Sequence, residues 1–275
     1  MATNGGANKK VCVTGAGGFV ASWLVKLLLS KGYSVHGTVR QPGNTSHLIT
    51  IGSKKYEHLL KLERASENLT LFEADILNYE SVYKAIVGCS AVFHVASPVP
   101  STVVPNPEVE VIEPAVKGTS NVLEASLKAK VERIVFLSSA AAVAINPNFP
   151  EDKVIDESCW SDKDYCKKTK NEHRWIVDVR DVVDAILLAY ENHKAEGRYI
   201  CFSHTVAKRD LVEKLKSLFP NYKYPTKAFI VGSYTEVDDN RMLSSKKLQS
   251  LGWKFRTLVE TLIDSVKSYK EAGLL

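Results

Sequence analysis

Short all-apolar runs alternate along this chain with longer stretches whose apolar residues recur at helical spacing. Residues 9–14 form an apolar run that stops at glycines, which predicts a buried strand. Trp23, Leu24, Leu27 and Leu28 then fall on one helical face over 22–30, and Gly32 ends that helix. Strands are predicted at 33–40 and 69–74, separated by a polar, Lys-rich stretch over 41–68 that holds one helix. A helix over 81–87, a strand over 91–96, a long amphipathic helix over 107–128 and a strand over 133–138 complete the pattern.

Strands that alternate with helices need crossover connections, so the sheet is parallel and covered on both faces. The predicted fold is a doubly wound α/β sheet. After residue 145 the pattern changes: 146–171 is polar and rich in Pro, Asp and Lys. A helix at 178–190, a strand at 198–203, a helix at 208–219 and an amphipathic helix at 257–270 follow. The expected organisation is a nucleotide-binding domain over 1–171 and a shortened C-terminal remainder over 172–275 that packs on it.

Composition narrows the function classes. The net charge of +5 comes from scattered rather than blocked lysines, which argues against a nucleic-acid partner. Residues 1–10 lack the apolar core of a signal peptide, and no run approaches a membrane span. Cys12, Cys89, Cys159, Cys166 and Cys201 form neither a CxxC pair nor a zinc-like cluster, so no metal is expected and reduced thiols point to the cytoplasm.

The chemistry concentrates where the first strand meets the first helix, in Thr14-Gly15-Ala16-Gly17-Gly18-Phe19-Val20-Ala21. Gly15 lets the chain turn, Gly18 lets a pyrophosphate approach the backbone, and the helix start aims amides and a positive dipole end at the anion. Gly15, Ala16, Gly17, Gly18, Phe19 and Val20 are therefore candidate cofactor contacts. At the end of the second strand an acid would grip the ribose 2′-hydroxyl of NADH, whereas an arginine accommodates the 2′-phosphate of NADPH. This chain has Arg40 and no nearby acid, which favours NADPH, with a solvated surface arginine as the alternative. Asp75 and Ile76 end the third strand and Val95, Ala96 and Ser97 the fourth, where ligands of open α/β sheets lie. Asp75 could equally be a helix cap.

With the TGxxGxxA loop, Arg40, Asp75 and Ser138-Ser139-Ala140-Ala141, the sequence resembles the extended short-chain dehydrogenase/reductases, which have a Rossmann fold. Asp156-Glu157-Ser158-Cys159-Trp160-Ser161-Asp162 and Lys170-Asn171 resemble the plant cinnamoyl-CoA reductase and dihydroflavonol reductase group. The likeness covers 8–171 and resumes at 178–185. The resemblance implies an enzyme, an oxidoreductase that uses NADPH to reduce a small phenolic carbonyl or CoA ester of the phenylpropanoid type. It gives Ser139 the role of polarising the carbonyl oxygen, and it implies a proton-donating tyrosine supported by a lysine four residues on.

Here the chain departs from the group. After Lys170-Asn171 it reads Glu172-His173-Arg174-Trp175-Ile176-Val177, and roughly sixty residues with the Tyr-x-x-x-Lys helix and the next strand, a whole crossover unit, are absent. Tyr190 and Lys194 satisfy the spacing but fall at the end of an amphipathic helix, and His173 sits near the tyrosine's place without a lysine at i+4. Ser139 without its partners could be a strand-end hydroxyl that satisfies local backbone. The strand at 198–203 is expected to lack its usual neighbour. Two functions stay open: a reductase, or a nucleotide-binding protein without catalysis, including the product of a shortened transcript.

Overall fold

A computed structural model describes residues 9–40, 54–99, 104–150, 152–168, 175–224 and 242–275. It divides into two compact units: residues up to Leu137 with Ala189–His193, and Ser138–Leu188 with Lys194 onward. The division expected after residue 171 falls beside 169–174, outside the described residues.

The first unit is built on five parallel strands, β1 (Lys10–Thr14), β2 (Ser34–Val39), β3 (Leu69–Glu73), β4 (Ala91–His94) and β5 (Arg133–Phe136), in the order β3-β2-β1-β4-β5. β1 and β4 are buried along almost their whole length, which explains their unbroken apolar text. Helix α1 (Phe19–Ser30) buries Ala21, Leu24, Val25, Leu28 and Leu29, a stripe at helical spacing, and contacts β1 and β2. Its C-terminus closes as a Schellman turn: the Tyr33 amide donates to the Leu28 carbonyl and the Gly32 amide to Leu29, with Gly32 at φ +85°.

Between β2 and β3 the single helix expected over 41–68 is replaced, among the described residues, by a 3-10 turn at Lys54–Tyr56 and the single turns α2 (Glu57–Leu60) and α3 (Ala65–Asn68). Arg64 at φ 65° breaks the helical path between them. Helices α4 (Tyr79–Ile86) and α5 (Glu113–Lys128) cover the face that carries Cys12 and Val92, packing Val82, Ala85, Ile86, Val122 and Ala125 there. A π-turn at Glu108–Ile112 precedes α5, so the predicted helix over 107–128 is α-helical only from Glu113. These elements form the doubly wound parallel sheet that the alternation predicted.

The second unit holds short helices α6 (Ala141–Ala144) and α7 (Lys163–Lys168), then α8 (Val179–Glu191), α9 (Lys208–Leu218), α10 (Lys246–Ser250) and α11 (Leu258–Glu271); the last three residues of α8 belong to the first unit. Strand β6 (Trp175–Ile176) pairs antiparallel with β7 (His204–Thr205). The strand expected at 198–203 does not form. Its opening residues instead serve the 156–160 loop: the Ile200 amide donates to Glu157 Oε1 at 2.8 Å, and Arg198 Nη2 donates to the Glu157 and Cys159 carbonyls. Without a parallel neighbour there is no ladder to hold it extended.

Two apolar clusters, one around Ile155, Cys159 and Leu243 and one around Ala185, Leu248 and Trp253, form the core of this unit. Asp181 anchors the second. Its carboxylate takes the Arg256 guanidinium and the Arg256 amide, and its carbonyl accepts the Trp253 indole N–H at 2.9 Å. Beside it, burial pushes the Asp178 carboxyl up, but the hydrogen bonds and charge of Arg180 outweigh burial and bring it down to about 2. No described helix is long and apolar enough to cross a membrane.

Candidate functional site

The strand order reverses between β1 and β4, and a cavity of about 580 Å³ opens at the carboxyl ends of the strands there. That volume suits a small-molecule site, and the position is where open α/β sheets bind their ligands. One wall is the glycine turn. Gly15 sits at φ +68°, and a Cβ on it would lie 3.1 Å from the Cα of Ala96, so only glycine lets the turn lie against the end of β4.

Helix α1 begins directly at the cavity, with Gly18 as its N-cap. No side-chain hydrogen bond caps it and its first turn holds no acid, so neither a cap nor its own first turn offsets the positive end. Phe19 is 71% exposed at the rim. Of the predicted contacts, Gly15, Gly17, Gly18, Phe19, Val20 and Arg40 line the cavity on this side, and Asp75, Ile76, Val95, Ala96 and Ser97 line it opposite. Ala16 does not line it. Its side chain is buried against β2, where a Cβ on Gly37 would meet it at 2.9 Å.

Arg40 is exposed at the end of β2, and its carbonyl accepts the hydroxyl of Tyr56. Tyr56 and its neighbour Lys55 also line the cavity, and neither was found from sequence. The Tyr56 ring covers Gly17 so closely that a Cβ there would come within 2.4 Å of it, and Lys55 Nζ lies 5.3 Å from the ring centroid. Asp75 does two jobs: it lines the cavity, and its Oδ1 accepts the Leu77 amide at 2.9 Å to shape the turn into α4. The cap of α4 is Asn78, whose Oδ1 accepts the Ser81 amide.

Ser139 lies at the start of the second unit, exposed, with its Oγ accepting the Ala141 amide at 3.1 Å. Tyr190 is the one tyrosine in the sequence with a lysine four residues on, and its ring packs edge-on against Tyr33 and Phe93. Arg133 caps that helix end, one guanidinium nitrogen donating to the carbonyls of Ala189, Tyr190 and Asn192. This pair is therefore a packed helix terminus. Lys170, Asn171 and His173 lie outside the described residues. Among the described residues no group of three His, Cys, Asp or Glu side chains could hold a metal.

Behind the glycine turn, His94 is 1% exposed, and burial pushes its pKa down to about 4. His36 is lowered as well, chiefly by burial, while its hydrogen bond to the Ala85 carbonyl works the other way. The thiols of Cys89 and Cys201 are pushed up to about 12 by burial, so neither is a poised nucleophile.

Comparison with known proteins places this geometry. Residues 11–165 match the NAD dependent epimerase/dehydratase family. Cinnamoyl-CoA reductase 1 of Petunia hybrida is 38% identical over 330 aligned positions, covering 96% of this chain and 93% of that protein. Since 96% of 275 residues is about 264, about 66 of those 330 positions are gaps in this chain, the size of the crossover unit missing from the sequence. Tetraketide alpha-pyrone reductase 1 of Arabidopsis thaliana is 34% identical, covering 98% of each chain. Among solved structures, vestitone reductase from alfalfa superposes with a TM-score of 0.74 at 28% identity, covering 97% of this chain and 99% of that one. Gre2 from Candida albicans, solved in complex with NADPH, shares the fold at 24% identity with a TM-score of 0.76, covering 96% and 99%. The glycine turn, the parallel sheet and these relatives together establish that the chain belongs to the NAD dependent epimerase/dehydratase family, close to the plant cinnamoyl-CoA and dihydroflavonol reductases.

Proposed function

We propose that this chain is an NADPH-dependent oxidoreductase whose substrate is a carbonyl or CoA thioester of the phenylpropanoid type. The observation that carries the reading is the cavity between β1 and β4, with an acid-free helix start on one wall and Arg40 at its rim. A dinucleotide fits this donor set. The amides of Phe19 and Val20 would hold the pyrophosphate that Gly18 lets approach, Arg40 the 2′-phosphate, and Asp75, Ile76, Val95, Ala96 and Ser97 the adenosine. Gly15 keeps its part of the floor free of a side chain, Gly17 makes room for the Tyr56 ring, and Ala16 supports them from below. A hydride equivalent for a carbonyl carbon is the chemistry that NADPH supplies when bound. The Ala141 amide occupies only a lone pair of Ser139 Oγ, so that hydroxyl retains a proton with which to polarise a carbonyl oxygen. The phenylpropanoid assignment draws on the named activity of the petunia relative.

A second reading, nucleotide binding without turnover, is favoured by the packing of Tyr190, which leaves no described residue pair in the proton-donating role. One experiment separates the readings. Calorimetric titration of the full chain should show NADPH binding at least about tenfold tighter than NADH, a preference that Arg40→Ala removes. Absence of NADPH binding overturns both. Cinnamoyl-CoA-dependent NADPH consumption that fails in Ser139→Ala supports the reductase; binding without consumption supports the second reading.

A further inference from the structure

His94 ends β4, paired in register with Thr14 at the end of β1. Its Nδ1 lies 2.8 Å from Thr14 Oγ1, and its Nε2 lies 3.3 Å from Thr119 Oγ1 on α5. Thr14 Oγ1 also accepts the amides of Val95 at 3.1 Å and Ala96 at 3.0 Å. A hydroxyl oxygen has two lone pairs and one proton. Both lone pairs are engaged by amides, so the proton must go to His94 Nδ1. That nitrogen is then the acceptor, and the ring's own proton sits on Nε2, donated to Thr119.

We propose that His94 is a positioning residue for the nucleotide cavity: locked as the Nε2–H tautomer, it turns the Thr14 hydroxyl so that Thr14 clamps the Val95 and Ala96 amides and sets the wall opposite the glycine turn. The clamp acts beside the glycine turn, since Ala96 is the residue that a Cβ on Gly15 would meet at 3.1 Å. It also turns two backbone donors of that wall inward, leaving the start of α1 to supply amides to an anion. The ring is neutral at pH 7, as the relay requires, because burial lowers its pKa. Around it stand the two threonine hydroxyls and the Phe136 ring, 5.3 Å between centroids. The link to the cofactor rests on the NADPH reading; the tautomer does not.

The test starts with the ligand-free full chain, labelled with ¹⁵N-histidine, by long-range proton–nitrogen correlation at neutral pH. One of the seven histidines, absent from the His94→Asn spectrum, should show the Nε2–H pattern. A Nδ1–H or imidazolium pattern for that ring overturns the relay. NADPH affinity is then measured on variants that retain a cooperative melt. Thr14→Val and His94→Ala are expected to weaken binding about tenfold, equivalent to about 1.4 kcal/mol, and His94→Asn, whose carbonyl can accept the Thr14 proton, to recover most of that loss. Unchanged affinity in Thr14→Val, or equal loss in the Ala and Asn variants, refutes the positioning role. If the parent chain binds no NADPH, the cofactor reading fails while the nitrogen shifts still judge the relay.

Discussion

Acid should unfold this protein earlier than its carboxylates alone would allow, and His94 sets the size of the effect. The buried ring titrates near pH 4 in the folded chain, while an unfolded histidine titrates near pH 6.5. Between those values the unfolded state takes up a proton that the folded state refuses, so stability rises with pH through the window and falls on acidification. Each tenfold difference in proton affinity between the two states is worth about 1.4 kcal/mol, so the penalty is about 2 kcal/mol at pH 5 and approaches about 3 kcal/mol at pH 4. His36, also lowered by burial, adds in the same direction. The Asp178 carboxylate, held near 2, is lost only below its unfolded value near 3.8, and so acts at lower pH. The assay is urea unfolding of the parent and His94→Asn from pH 7.5 to 4.5, followed by far-UV circular dichroism. The parent should exceed the variant in stability at pH 7.5, with the gap closing by about 2 kcal/mol by pH 5. A gap constant across that range would refute the argument, because it would mean that the ring titrates alike in both states.

Three further perturbations test the packing. Gly17→Ala drives a methyl into the Tyr56 ring, which its hydroxyl bond to Arg40 holds in place, so a stability loss of about 1–3 kcal/mol is expected, shrinking in the Gly17→Ala/Tyr56→Ala double variant. Arg256→Ala leaves the carboxylate of Asp181, 1% exposed, without its counter-charge; denaturant titration should show a loss of about 3 kcal/mol, the low end for a buried pair because Arg256 is partly solvated. Thr257→Ala removes the capping box that Thr257 forms with Glu260 at the start of α11 and should cost about 1 kcal/mol in the same assay.

The parallel sheet and the glycine turn were legible because β1 and β4 are buried on both faces and read as short apolar runs between helical stretches. Lys55 and Tyr56 were not, because residues 41–56 carry no period; the cue was the aromatic that stands just before Leu59 and Leu60. The Thr14–His94 relay hid for another reason. Each residue reads as an ordinary strand end, and only the register of β1 with β4 brings them together across 80 positions of sequence. That Ala16 stands outside the cavity lining was hidden as well, because the sequence of a turn does not say which side chain faces the cavity. The strand expected at 198–203 had the right composition, but strand propensity is realised only beside a partner, and Arg198 and Ile200 found theirs in the 156–160 loop.

The strand order carries a kinetic consequence. β1 is the earliest of the described elements, yet one of its two neighbours is β4, whose residues lie about 80 positions later. The β1–β2 pair can close early, across a single helix, whereas the β1–β4 pair must wait until the intervening chain has found its place. The cavity consists of those two strand ends brought side by side. Competence to bind a nucleotide therefore arrives with that long-range pairing, and a ligand present during refolding would report on it.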